Sequence, residues 1–190
     1  MRDNGFPRTA KIVVAGGFGV GKTTMVSAIS EIEPLTTEAP LTQNSATVDD
    51  LTGLGGKTTT TVALDFGRLT LDDSLTLYLF GTPGQHRFWN SWNHIAIGAV
   101  GAVVLIDTRR PADSFAAIDF FESRSVPFLV AINDFDGLAR YDTDAVRDAL
   151  DVDPGTPVIR CDARSKEACR HALLTLVDHA IQAERAYLGG

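Results

Sequence analysis

The chain has 190 residues, 44% of them apolar, and a formal net charge of −7. That length and composition predict one globular domain with a sizeable core. No apolar run reaches the roughly eighteen residues of a membrane span, and the acidic balance, without a basic stripe, argues against a nucleic-acid partner.

The start, MRDNGFPRTAK, has no apolar leader, and neither Arg2 nor the end ERAYLGG presents a lipidation signal. The expectation is a cytoplasmic protein with no direct membrane anchor. Cys161 and Cys169 make neither a disulfide framework nor a zinc pattern.

In chain order, AKIVVAG reads as a strand buried on both sides, feeding a glycine loop and then a helix through KTTMVSAIS. The Thr-, Pro- and Gly-rich stretch 34–57 shows no period and reads as a long loop, functional or mobile. TTTTVALDFGRLTL and SLTLYLFG read as two strands joined in a hairpin at Asp72, Asp73 and Ser74. GAVGAVVLID, VPFLVAIND and TPVIRCD are further strand candidates, with helices near 114–122 and 143–150 between them. A final helix carries Leu173, Leu176, Val177, Ala180 and Ile181 on one stripe. Alternating strands and helices predict an α/β fold, a doubly wound and mostly parallel sheet of about six strands with helices on both faces. With no repeat and no change of composition, residues 1–190 read as one domain.

Gly16, Gly21, Lys22 and Thr23 fit G-x-x-x-x-G-K-[ST], after a strand and before a helix, the context that motif requires. Glycines let the backbone N–H groups of residues such as Phe18, Gly19, Val20 and Thr24 converge on phosphate oxygens, aided by the helix N-terminus. Lys22 offers a compact charge to the outer phosphates, and the Thr23 hydroxyl stands where a Mg²⁺ ligand is needed. A phosphate loop does not name the base. AINDFDG ends a strand with Asn133 and Asp136, similar to the N-K-x-D guanine motif. A carboxylate at Asp136 can accept from guanine N1–H and the 2-amino group, donors that adenine lacks there. Asn133 would tie this loop to the phosphate loop. CDARSKEA is similar to an S-A-K element, with the Ala163 N–H expected at guanine O6 and Arg164 beside the base.

The order GGFGVGKT, TTVALDF, GTPGQ, NDFD and CDAR resembles a Ras-type small GTPase. The fuller GTPGQHRFW, GAVVLIDTRR and PFLVAINDFDG resemble the GTPases of actinobacterial conservons, related to gliding-motility GTPases of the MglA type. The resemblance implies a single P-loop G domain binding GTP and GDP with Mg²⁺. It also implies slow GTP hydrolysis and signalling with a roadblock-type protein and a histidine-kinase-like membrane sensor, which could recruit it to a membrane. It makes Lys22 and Gln85 the catalytic groups, with Gln85 orienting the attacking water. Gly84 then borders the outer phosphate, and Thr61 is the switch threonine that senses it together with the metal.

Three positions depart from that pattern. Gly81 replaces the aspartate that normally holds a magnesium water. Asp65, on the same strand face as Thr61, could substitute or could make a local contact instead. Phe18 stands where a glycine is usual, either crowding the route of an arginine finger or packing on a switch segment. Asp134 replaces a lysine whose stem would cover the base. No arginine finger is visible in the 34–57 loop. Of Phe88, Trp89 and Trp92, part is expected as a partner surface and part as core. The rival readings are a nucleotide-binding interaction module with little or no hydrolysis, or a small-molecule kinase, for which a basic lid is lacking.

Overall fold

A computed structural model describes residues 8–42, 59–72, 74–84, 89–136 and 141–189, with the side chains of 36–63 and 89–91 set aside. The central strand β1 (Arg8–Gly16) is a near-continuous apolar run whose second half is buried on both faces, as a parallel strand covered by helices must be. It is followed by α1 (Lys22–Ile29), β2 (Leu35–Thr42), β3 (Thr59–Asp72), β4 (Leu75–Gly81), α2 (Trp89–Ala96) and β5 (Ala99–Ile106). A 3-10 turn at Pro111–Ser114 leads into α3 (Phe115–Glu122), then β6 (Phe128–Asn133), α4 (Thr143–Leu150), β7 (Val158–Cys161) and α5 (Lys166–Leu188).

The strands form one sheet in the order β2-β3-β4-β1-β5-β6-β7. β3 pairs antiparallel with both β2 and β4, and every other pairing is parallel. Among the described residues the sheet thus has seven strands, one more than expected. The addition is β2, which takes Leu35–Thr42 out of the predicted loop and pairs it along β3; residues 43–58 lie outside the described residues. The expected hairpin is present: the Asp72 carboxylate accepts from Ser74 N and Oγ and from Leu75 N at 2.7–3.0 Å.

Two cores lie on opposite faces. One joins Met25, Val26 and Ile29 of α1 to Cys169, Leu173 and Leu176 of α5 across β1 and β4. The other gathers Trp92 and Ile95 of α2, Ile118 and Phe121 of α3, and Val146 and Leu150 of α4 on β5 and β6. Helix starts follow the sequence: Asp142 caps α4 and Ser165 caps α5, each accepting a backbone N–H of the first turn. Because the strand order reverses beside β1, the crevice at its carboxyl end is where such a sheet binds ligands.

Candidate nucleotide-binding site

Residues 16–21 turn the chain from β1 into α1, with Gly16, Gly19 and Gly21 all at positive φ. Gly21 (φ +109°) is confined as well as twisted, because a Cβ there would stand 2.7 Å from Asn133 Nδ2. Val20 is different. Its side chain is buried core, and its contribution to the loop is a carbonyl. Phe18 is 65% exposed, so among the described residues its ring does not fold away into a packed segment.

Lys22 is buried, and its Nζ donates to the Gly16 and Gly17 carbonyls at 3.0 and 2.6 Å. Burial pushes this ammonium down to about 8, against the opposing pull of the Asp65 carboxylate. Gly84 closes on the same spot, since a Cβ there would come within 2.8 Å of both Lys22 Nζ and Phe18 Cα. The Pro83 carbonyl just before it accepts from the Trp92 indole at 3.3 Å. Trp92 is therefore buried among Phe120 and Phe121 and is not a partner surface. Phe88, with the side chain of Trp89, lies outside the described residues.

Asp65 lies beside the position of the missing aspartate. It sits opposite Gly81 in the β3–β4 ladder, and its Oδ2 accepts from Thr23 Oγ1 at 2.5 Å. A Cβ on Gly81 would meet Asp65 Cβ at 3.0 Å and Oδ2 at 3.1 Å. The carboxylate of Asp65 thus fills the space that an aspartate at position 81 would enter. Thr61 lies four residues earlier in β3, paired with Pro40, and its side chain is outside the described part. Gln85 is outside it too. Thr82 Oγ1, next to Gly81, is buried with no hydrogen-bond partner among the described residues.

The base side is built around Asn133, at the end of β6. Its Nδ2 donates to the Val20 carbonyl at 2.9 Å, and its Oδ1 accepts from Ala163 N at 3.0 Å. One buried amide therefore locks the phosphate loop to the loop after β7; the bond to the phosphate loop was expected and the bond to Ala163 was not. The Ala163 N–H, expected at guanine O6, donates to Asn133 in this structure. Asp136 is 85% exposed, but both its oxygens are held by Arg164, at 2.6 and 3.0 Å. The same guanidinium binds Asp162 at 2.9 Å. Hydrogen bonds from Arg164 hold the Asp136 carboxyl below the usual carboxylate range. Asp134, in the place of the absent lysine, pairs with Arg160 at 3.3 Å. An open cleft of about 470 Å³ lies beside the first turns of α1, lined by Thr23, Thr24, Ser27, Ala28 and Arg164.

Sequence reasoning missed the turn after β5. Asp107 is buried and binds Arg109 through both oxygens at 2.7 and 2.8 Å, which holds its carboxyl below the ordinary range. Arg109 stacks on Phe135 with 4.1 Å to the ring centroid. Arg110 reaches back to the Phe18 carbonyl at 3.0 Å. The only signal was an acidic residue ending a strand before two arginines, in DTRR.

Residues 14–183 match a family described as conserved hypothetical ATP binding protein. The chain belongs to this family. A probable translation initiation factor IF-2 of Thermofilum pendens is 26% identical in an alignment 187 residues long that covers 93% of this chain and 28% of that factor. The G domain of the FeoB iron transporter of T. maritima superposes with a TM-score of 0.61 at 16% identity, over 93% of this chain and 99% of that domain. The FeoB cytosolic domain in a GDP form gives 0.62 at 18% identity, over 93% of this chain and 65% of that one. The member described here is thus a P-loop chain with a G-domain fold. Among the described residues, no helix is long and apolar enough to cross a membrane.

Proposed function

We propose that the chain is a guanine-nucleotide switch, a small GTPase that binds GTP and GDP with Mg²⁺ and hydrolyses GTP slowly. The observation that carries this reading is Asn133, which ties the phosphate loop at Val20 to the loop of Ala163, where the neighbouring Arg164 holds Asp136. The phosphates would lie on the N–H groups of residues 17–24, with Lys22 leaving the Gly16 and Gly17 carbonyls to meet the outer ones. The base assignment rests on Asp136. In this structure it holds a planar pair of N–H donors from Arg164, and guanine N1–H with its 2-amino group is a donor pair of the same form. Adenine has no such pair, so the adenine nucleotide in the family's description would leave Asp136 idle.

Mg²⁺ fits the donor set, because Thr23 and Asp65 present hard oxygens side by side and Mg²⁺ favours one or two carboxylates with substrate phosphates. Thr61 would complete the set. When bound, the ion would neutralise charge developing on the outer phosphates. Gln85 would orient the attacking water, a role that rests on the TPGQ resemblance. The Phe18 ring is exposed and would crowd the side from which an arginine in trans enters, which would keep turnover low. The same ring supports the rival reading, an interaction module with little hydrolysis. The resemblance to conservon and MglA-type GTPases supplies the proposed context. In it a roadblock-type protein and a histidine-kinase-like sensor are the partners, and a cytoplasmic switch is recruited to the membrane by one of them.

The test is Asp136→Asn. It reverses one acceptor position and should shift preference from guanosine to xanthosine diphosphate in competition. A variant that keeps guanosine preference would remove Asp136 from base recognition.

A further inference from the structure

We propose that Arg110 is a positioning residue for the phosphate loop: by holding the Phe18 carbonyl it aims the Gly19 N–H into the cradle. The inference rests on the nucleotide-binding reading above. A planar trans peptide points its C=O and N–H in opposite directions. Arg110 Nη2 donates to the Phe18 oxygen at 3.0 Å, so the N–H of the same peptide, that of Gly19, is turned away from the Arg110 guanidinium. Gly19 needs that help, because its φ of +71° lies in a region a glycine can also leave freely.

Arg110 is itself fixed. Its Nη2 lies 3.4 Å from the buried Asp107 and its Nη1 3.7 Å from Asp113. Asp113 packs so closely on the loop that a Cβ on Gly17 would stand 2.7 Å from its Cβ. The turn is thus a buttress under Gly17–Gly19. With its charge spent on two carboxylates, Arg110 acts through the peptide and not as a phosphate ligand. Its neighbour Arg109 shares Asp107 but leads to Phe135 on the base side.

The test measures GDP and GMP affinity of the full chain by competition. The wild type is compared with Arg110→Ala, Arg110→Lys and Arg109→Ala. A charge-assisted N–H to phosphate bond is worth enough that losing its aim should cut the preference for GDP over GMP about tenfold in Arg110→Ala. Arg110→Lys, still able to donate to Phe18, should recover most of it, and Arg109→Ala should keep the wild-type ratio. The Gly19 amide proton should shift downfield on GDP binding in wild type and Arg110→Lys only. An unchanged ratio and an unchanged Gly19 shift in Arg110→Ala would overturn the inference while leaving nucleotide binding intact. A wild type that binds ADP instead would sink the guanine reading, and the same ratio would then be read with ADP and AMP. A wild type that binds neither would overturn both.

Discussion

Exchanging the partners at positions 65 and 81 tests whether one carboxylate has moved across the β3–β4 ladder. Gly81→Asp alone places a second side chain 3.0 Å from Asp65 Cβ and 3.1 Å from Oδ2. Overpacking of that kind costs about 1–3 kcal/mol. Two like charges some 4 Å apart repel by up to about 4 kcal/mol at an effective dielectric of 20, part of which protonation relieves. A net loss of about 3 kcal/mol is expected, or roughly 10 °C in midpoint for a domain of this size. Asp65→Gly alone forfeits the bond from Thr23, worth about 1.5–3 kcal/mol for a charged acceptor. It also places a glycine in a strand, at about 0.5–1 kcal/mol. If the two changes acted independently, the double variant would lose the sum. If position 81 can supply the carboxylate that position 65 gave up, the double variant should be no worse than Asp65→Gly, an interaction energy of about 3 kcal/mol. Urea denaturation of the four proteins without metal gives the cycle, and GDP release rates across a magnesium titration show whether retention returns with the carboxylate. Additivity within about 0.5 kcal/mol would refute the exchange.

Two further outcomes follow from the site. Lys22 sits near 8 rather than 10.5, so raising the pH from 7 to 9 strips its proton and should weaken GDP binding about tenfold, an effect absent from Lys22→Met. The unfolded chain holds that proton up to about 10.4, so between pH 8 and 10.4 it binds more protons than the native state. The Lys22 contribution to ligand-free stability therefore rises with pH across that window, which denaturation of wild type against Lys22→Met will read. Arg164→Ala removes the guanidinium that covers Asp136, so GDP association in stopped flow should quicken. An unchanged association rate would mean that Arg164 does not stand in the way.

The phosphate loop was legible because its chemistry is contiguous: glycine spacing, lysine and threonine lie within one turn of chain, between a strand and a helix. Asp65 was legible as a candidate through strand parity, although only the ladder shows that it faces Gly81. β2 was hidden because TTEAPLT has no alternation and contains Pro40, so its strand character comes from pairing with β3 rather than from local preference. Trp92 read as surface or core with equal ease, since burial of a helical aromatic depends on which face meets α3. The Ala163 amide was assigned to a base because no local rule says that Asn133, 30 residues away, takes it. Arg110 was invisible for the same reason, reaching its partner across 92 residues.

The central claim is guanine recognition by a P-loop chain whose family is described as ATP binding. Competition of GTP, GDP and ATP for the purified chain, with and without Mg²⁺, tests it most directly. GTP and GDP should bind at least tenfold more tightly than ATP, and Mg²⁺ should tighten the guanine nucleotides. ATP binding as tight as GTP, with or without the metal, would contradict the account.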